Sequence, residues 1–338
     1  MYKYLGLQLL GLLLSINLYA QHTENFEITL PKAPISGSLY NKITIVDARP
    51  DSTDMGIVQT GAFNRKAKVV PAVSVSAQLY KVFGALNNAD AGNGEMLLQL
   101  RQLSFAELTA AMSEKGYCYF RADAYARQGE GYKKISSIDT VILIKSMDVT
   151  RPLFRKGNEI VTGFLTTAMQ KQPVSATTYT YQDVLNVETI EKQGMKLYTT
   201  LSYAEGVYLT YTAFMNQTPD KQATVETDDS GKLTTVKVTD DKGKLQKVKA
   251  QDVYALVHNG LAYVGTRFGY YPLKKVDNNF LFTGKASVNA KTGDVIAASI
   301  FFGVIGGLVA SNAEATFEMK LDHINGGFVR LREVTAAN

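Results

Sequence analysis

The chain has 338 residues, 46% hydrophobic and 20% charged, which is the make-up of a folded globular protein with room for two domains and not of a disordered chain. Its 36 basic and 31 acidic residues give a formal charge of +5 and are interleaved, so no block is dense enough to track a phosphate backbone and no nucleic acid is expected as a partner. With one cysteine, an internal disulfide is excluded.

The first twenty residues, MYKYLGLQLLGLLLSINLYA, place Lys3 ahead of an apolar stretch from Leu5 to Leu14 and end on the small residue Ala20. These are the three parts of a secretory signal peptide, 1–20, cut after Ala20. A membrane anchor fits less well, because about ten apolar residues fall short of the roughly 20 that span a bilayer. No cysteine stands at the cut to carry a lipid. The expected location is the periplasm or the outer-membrane surface, or outside the cell.

A polar leader, 21–37, precedes NKITIVDARP, a buried strand from Ile43 to Val46 that runs into a polar corner at Asp47, Arg49 and Asp51, with DMGIVQTG as a second short strand. Pro71 suits a first helical turn, and Val75, Leu79, Val82, Phe83 and Leu86 recur at helical spacing until NNADAGNG stops them. MLLQLRQLSFAEL and KGYCYFRADAYA form an expected hairpin turning at SEKG. In the second of these segments Cys118, Phe120, Ala122, Ala124 and Ala126 make one small apolar face, so Cys118 is a packing residue. SSIDTVILIKS is a further strand. Thr150 and Pro152 open a second helix, lined by Leu153, Ile160, Val161, Phe164, Leu165 and Ala168 and ended by Pro173.

Residues 38–172 therefore form an α+β domain, a mainly antiparallel sheet with two packing helices. Residues 173–203 are a linker or small subdomain with one weak helical patch, QDVLNVETIEKQG. Turn signals at 228, 240, 258, 277, 291 and 325 mark 204–338 as a β-rich domain.

TDDSGKL and TDDKGKL are expected as hairpin turns: their acids are adjacent where a calcium loop alternates its ligands, and lysines stand where a bidentate Glu belongs. His22, His258 and His323 are far apart, without other ligands at zinc spacing, and surface or edge roles are expected for His258 and His323. There is no glycine elbow around a serine and no phosphate-binding loop. No metal, cofactor or catalytic residue is expected. The tyrosines scatter and are expected mostly on sheet surfaces. The best polar constellation is Asp47, Arg49 and Asp51, with an Arg–Asp pair at a domain rim as the plainer reading.

The stretch VIAASIFFGVIGGLVA is apolar on every side as a helix, with Ser299, Gly303, Gly307 and Ser311 four apart in one groove. Sixteen residues would span about 24 Å, short of the roughly 30 Å hydrocarbon core. No Lys or Arg follows before Lys320, and the segments on either side read as strands of one sheet. A glycine-grooved helix over 295–311, crossing between strands, is favoured; insertion in a membrane, self-association through the groove and a plain strand remain open.

Residues 188–220 resemble a module of secreted, uncharacterised Bacteroidota proteins, carried here by Gly206, Val207, Tyr208, Thr210, Tyr211, Phe214, Asn216 and Pro219. The first half, with its VDARPDS corner, is similar in element order to envelope auxiliary lipoproteins of bacterial transport systems, but lacks their lipid-bearing cysteine. These resemblances imply export and assign no chemistry. The expected function is a non-enzymatic envelope protein of a Gram-negative bacterium that binds a protein partner or self-associates, with membrane contact through 295–311 as one route. The alternative is an exported enzyme with a polar site near Asp47 and Arg49.

Overall fold

The computed structural model describes residues 22–61, 65–110, 113–229, 231–240, 242–285 and 316–334; the signal-like segment 1–20 and the apolar run 295–311, with Ser299, Gly303, Gly307 and Ser311, lie outside the described residues. The fold is α+β, with an N-terminal sheet backed by helices followed by β-rich sheets.

The first sheet has eight strands: β1 (Thr23–Phe26), β2 (Tyr40–Asp47), β3 (Gly56–Thr60), β4 (Arg65–Pro71), β5 (Gly94–Ala110), β6 (Ser113–Gln128), β7 (Gly131–Ser146) and β8 (Thr178–Tyr179). The order is β1-β4-β3-β5-β6-β7-β8, and β2 lies beside the first part of β5. Pairings are antiparallel except β1–β4, β2–β5 and β3–β5. The expected turn at SEKG is displaced: pairing of β5 and β6 continues to Ala110 opposite Ser113, so those residues belong to β6.

Helix α1 (Val75–Leu86) starts later than Pro71 suggests, because that proline ends β4 and the Ser74 hydroxyl accepts the Ala77 amide as N-cap. Its expected apolar positions are all buried. In α2 (Thr150–Met169), Thr150 is inside the first turn instead of capping it, and its hydroxyl donates to Glu107. Both helices cover the face of the sheet carrying Cys118, Phe120 and Ala122, where Phe105 meets Phe26 and Phe154 at 4.7 and 5.0 Å between ring centroids. Cys118 is buried there, and burial pushes its thiol up to about 12.

The opposite face is covered too. Tyr117, Tyr119 and Tyr125 are buried, not at a sheet surface: Asn325 of the second half reaches Tyr119, Val184 and Tyr179 pack on Tyr125, and Tyr117 packs with Tyr119, Val141 and Leu143. The helical patch folds as α3 (Tyr181–Leu185) and α4 (Val187–Gln193), followed by α5 (Lys196–Thr199). Then come β9 (Gly206–Tyr208), α6 (Tyr211–Met215), β10 (Ala223–Thr227), β11 (Leu233–Thr239), β12 (Leu245–Val248), β13 (Ala255–His258), β14 (Leu261–Thr266), β15 (Gly269–Pro272), β16 (Lys274–Val276), β17 (Asn279–Gly284), β18 (Phe317–Leu321) and β19 (Phe328–Glu333). They form sheets β10-β11-β12, β15-β14-β13-β9 and β16-β17-β18-β19.

The two Asp-rich segments are the turns joining β10 to β11 and β11 to β12, with Gly231 and Gly243 at φ +78° and +76°. His258 opens the β13–β14 turn, where Asn259 and Gly260 both have positive φ. The Gly206 module is built from structural parts. A Cβ on Gly206 would meet the Lys221 carbonyl at 2.7 Å; Tyr208, Tyr211 and Phe214 are core; and Thr210 caps α6.

Candidate functional site

The densest buried polar cluster lies between the outward face of β5–β7 and the second half of the chain. It begins with an irregularity. Pairing jumps from Leu100–Ala122 to Gln102–Arg121, leaving Arg101 as an extra residue in β5. The bulge switches parity, so Leu98 and Leu100 before it and Leu103 and Phe105 after it share the helix-covered face. Arg101 itself reaches Asp123 Oδ2 at 3.1 Å and donates to both Glu191 carboxylate oxygens at 2.8 Å. Asp123 also accepts from Lys134 at 3.0 Å and from the Ser137 hydroxyl.

The second half contributes α4 and the turn from β18 to β19. Glu188, Glu191 and Lys192 stand one turn apart on α4. Lys192 donates to Glu188 at 2.6 Å and to the Asn279 side chain at 2.7 Å, and Lys320 reaches Glu188 at 3.2 Å. His323, 3% exposed, donates from Nε2 to Glu191 at 2.8 Å. The expected surface or edge role is therefore corrected: strand β18 ends before His323, but the following turn docks on the first sheet and buries it.

Across the seam, Arg121 on β6 donates to both oxygens of Asp139 on β7, at 2.8 and 3.2 Å, and to both oxygens of Asp322, at 3.0 and 2.9 Å. Asn325 donates to Tyr119 Oη at 3.1 Å and to Asp139 at 3.2 Å. The turn is held from behind as well: Tyr211 Oη donates to the His323 carbonyl at 2.6 Å and Tyr254 Oη to that of Gly326 at 2.7 Å. The Gly206 module thus grips the turn that grips the sheet.

Five side-chain cations, Arg101, Arg121, Lys134, Lys192 and Lys320, meet five carboxylates, Asp123, Asp139, Glu188, Glu191 and Asp322. Burial alone would raise the carboxyl pKa values, yet hydrogen bonds and the facing cations win: Glu188 and Glu191 are held down to about 2, and Asp322 is lowered with Arg121 beside it. Arg101 and Arg121 are raised by the same carboxylates against their own desolvation.

The constellation expected at Asp47, Arg49 and Asp51 is separate. Arg49 donates to both oxygens of Asp47 at 2.8 and 2.7 Å and to the Ser52 carbonyl at 2.9 Å, with its side chain 2% exposed. Asp51 accepts from Thr53 and Asp54 amides in the next turn. The corner is an internal clip that carries the chain from β2 to β3 along one edge of β5.

A third place was not foreseen. A cleft of about 560 Å³ is lined by Glu24, Gln59, Glu114, Asp148, Thr150 and Arg151. One layer behind it, Glu107 accepts from the Thr150 hydroxyl at 2.7 Å and the Gln59 amide at 3.2 Å. Burial pushes Glu107 up to about 7, and the Glu114 carboxyl adds to the push against those hydrogen bonds. Among the described residues no group of three or more His, Cys, Asp or Glu is arranged to hold a metal ion.

No family model matches this chain, and no curated protein does. Among solved structures, it is similar to a Xanthomonas campestris protein of family DUF330, with 8% identity and a TM-score of 0.29 over 50% of this chain and 99% of that one. An uncharacterized protein gives 8% identity and a TM-score of 0.24 over 44% of this chain and 97% of that one.

Proposed function

We propose that this chain is an exported, non-enzymatic protein of the bacterial cell envelope that works by binding a protein partner or by assembling at a membrane surface. The observation that carries the reading is the charge-matched seam. Proton transfer near neutral pH needs groups with pKa values near 7. Two of the seam carboxylates, Glu188 and Glu191, are driven the other way, to about 2, by the lysines on Glu188 and by His323 and Arg101 on Glu191. Such a cluster fastens two parts of a chain; it does not shuttle protons. Export is supported by the three-part leader.

An enzymatic reading has one observation in its favour, the Glu107 carboxyl at about 7 behind a cleft. It would sit there and not at Asp47 and Arg49, whose charges already satisfy each other. The test is fractionation with N-terminal sequencing of the native chain. A product that begins at Gln21 and is recovered with the envelope is expected; an unprocessed leader on a cytosolic pool would overturn the proposal.

A further inference from the structure

We propose that the outer edge of β7 pairs antiparallel with the same edge of a second copy of this chain, with Ile142 on the two-fold axis and Asp139 of each copy opposite Lys145 of the other. The inference rests on the assembly reading above and gives it a partner and a surface.

Among the described residues the edge is long and open. Strand β7 is paired with β6 along its whole length, but β8 covers it only at Tyr132 and Lys133, and the Lys134 carbonyl takes the Val174 and Ser175 amides. Among the described residues no backbone pairs with the outer side of β7 from Ile135 to Ser146. Its apolar content is high because both faces of the sheet are covered. Ile138, Ile142 and Ile144 pack with the helix-covered core, while Val141 and Leu143 pack with Tyr117 and Tyr119 on the other side. A run of Val141, Ile142, Leu143 and Ile144, all half-buried, on a strand with a free edge is the arrangement that recruits another strand.

Charge selects the occupant and the register. A two-fold axis perpendicular to the sheet returns each side chain to its own face, so residues facing each other must both be odd or both even. With Ile142 opposite itself, Val141 faces Leu143, Thr140 faces Ile144, and the only two charges on this stretch, Lys145 and Asp139, whose carboxylate also holds Arg121 and Asn325 of its own chain, face each other twice. Moving the axis to Val141 sets Asp139 opposite Leu143, and moving it to Thr140 sets Asp139 opposite Val141, so the ion pairs are lost in both. Helix α2 leaves space for a copy of itself, since it lies more over β6 than over β7. At about 4.8 Å per strand, the two helices would stand about 14 Å apart, beyond the 8–10 Å of direct helix contact.

The test is sedimentation equilibrium of the full chain, with two variants. A reversible dimer is expected, weakened about tenfold by Lys145→Glu, which sets like charges opposite each other at an exposed position. Ile142→Cys should form a disulfide-linked dimer under mild oxidation, since residues directly opposite have Cα atoms within disulfide reach, whereas Thr140→Cys, offset from its own copy, should not. Cys118 is buried and stays out of the exchange. A monomer at every concentration, or a dimer that Lys145→Glu leaves unchanged and Ile142→Cys does not link, overturns the pairing. A monomer still processed and recovered with the envelope would sink the pairing alone and leave the envelope reading in place.

Discussion

At the scale of single residues, the seam depends on Glu191, which answers Arg101 with two hydrogen bonds and His323 with a third contact. A part-buried carboxylate between two donors is a structural commitment: with it present the desolvation of Arg101 is compensated, and with it gone Arg101 keeps, among the described residues, Asp123 at 3.1 Å. Glu191→Gln should lower the unfolding free energy by about 3 kcal/mol, read as a fall in the urea midpoint at unchanged slope. Glu159→Gln, which loosens only the exposed pair with Lys156, should change it by less than about 0.5 kcal/mol. Equal effects of the two would mean the seam contributes no more than a surface pair.

At the scale of elements, α2 shows how a helix periodicity can be right and still incomplete. The positions expected to face the core do so, but the closest approach to the sheet is at a glycine. A Cβ on Gly157 would lie 2.8 Å from the Phe105 ring, which is fully buried and pinned by Phe26 and Phe154, while nothing lies within 4 Å of one on Gly163. Alanine is the better helix former by about 1 kcal/mol at either place. Gly163→Ala should therefore stabilise the protein by about 0.5–1 kcal/mol, and Gly157→Ala should destabilise it by about 1–3 kcal/mol because overpacking outweighs propensity. Thermal unfolding of the two variants checks this; the same sign for both would refute the close packing. The bulge at Arg101 was partly legible too. The shift of apolar positions from Leu98 and Leu100 to Leu103 and Phe105, with an arginine at the break, is written in LLQLRQLSF.

At the scale of the whole molecule, two sets of carboxyls, half-exposed Glu188 with part-buried Glu191 and buried Glu107, pull stability in opposite directions with pH. Glu188 and Glu191 titrate in the fold at about 2, below the ordinary 4.5, so what they contribute is present above pH 4.5 and is lost as pH falls through about 2. Glu107 titrates in the fold at about 7, above its ordinary 4.5, so its protonated form favours the fold and that advantage is lost as pH rises from 4.5 through 7. The melting temperature should therefore rise between neutrality and about pH 5, then fall in stronger acid. Glu107→Gln should flatten the limb from about pH 5 to 7 and leave the acid limb alone. Calorimetry across that range decides it, and a wild-type curve that already matches the variant's above pH 5 counts against a buried protonated carboxyl.

What the sequence determined by itself was carried by contiguous stretches: the helical faces of α1 and α2, the alternating faces of β6, the buried Cys118 and the Asp-rich hairpin turns, though not the exact helix starts or the β5–β6 turn. Period and turn chemistry are local, so no distant residue is needed to read them. Tertiary structure alone decided that both faces of the first sheet are covered, and hence that its tyrosines, Arg121, Asp123 and His323 are inside. Arg121 and Asp322 are 201 residues apart in the chain. Which carboxylate answers which cation follows from the docking of two halves through space, and no spacing along the chain encodes that distance.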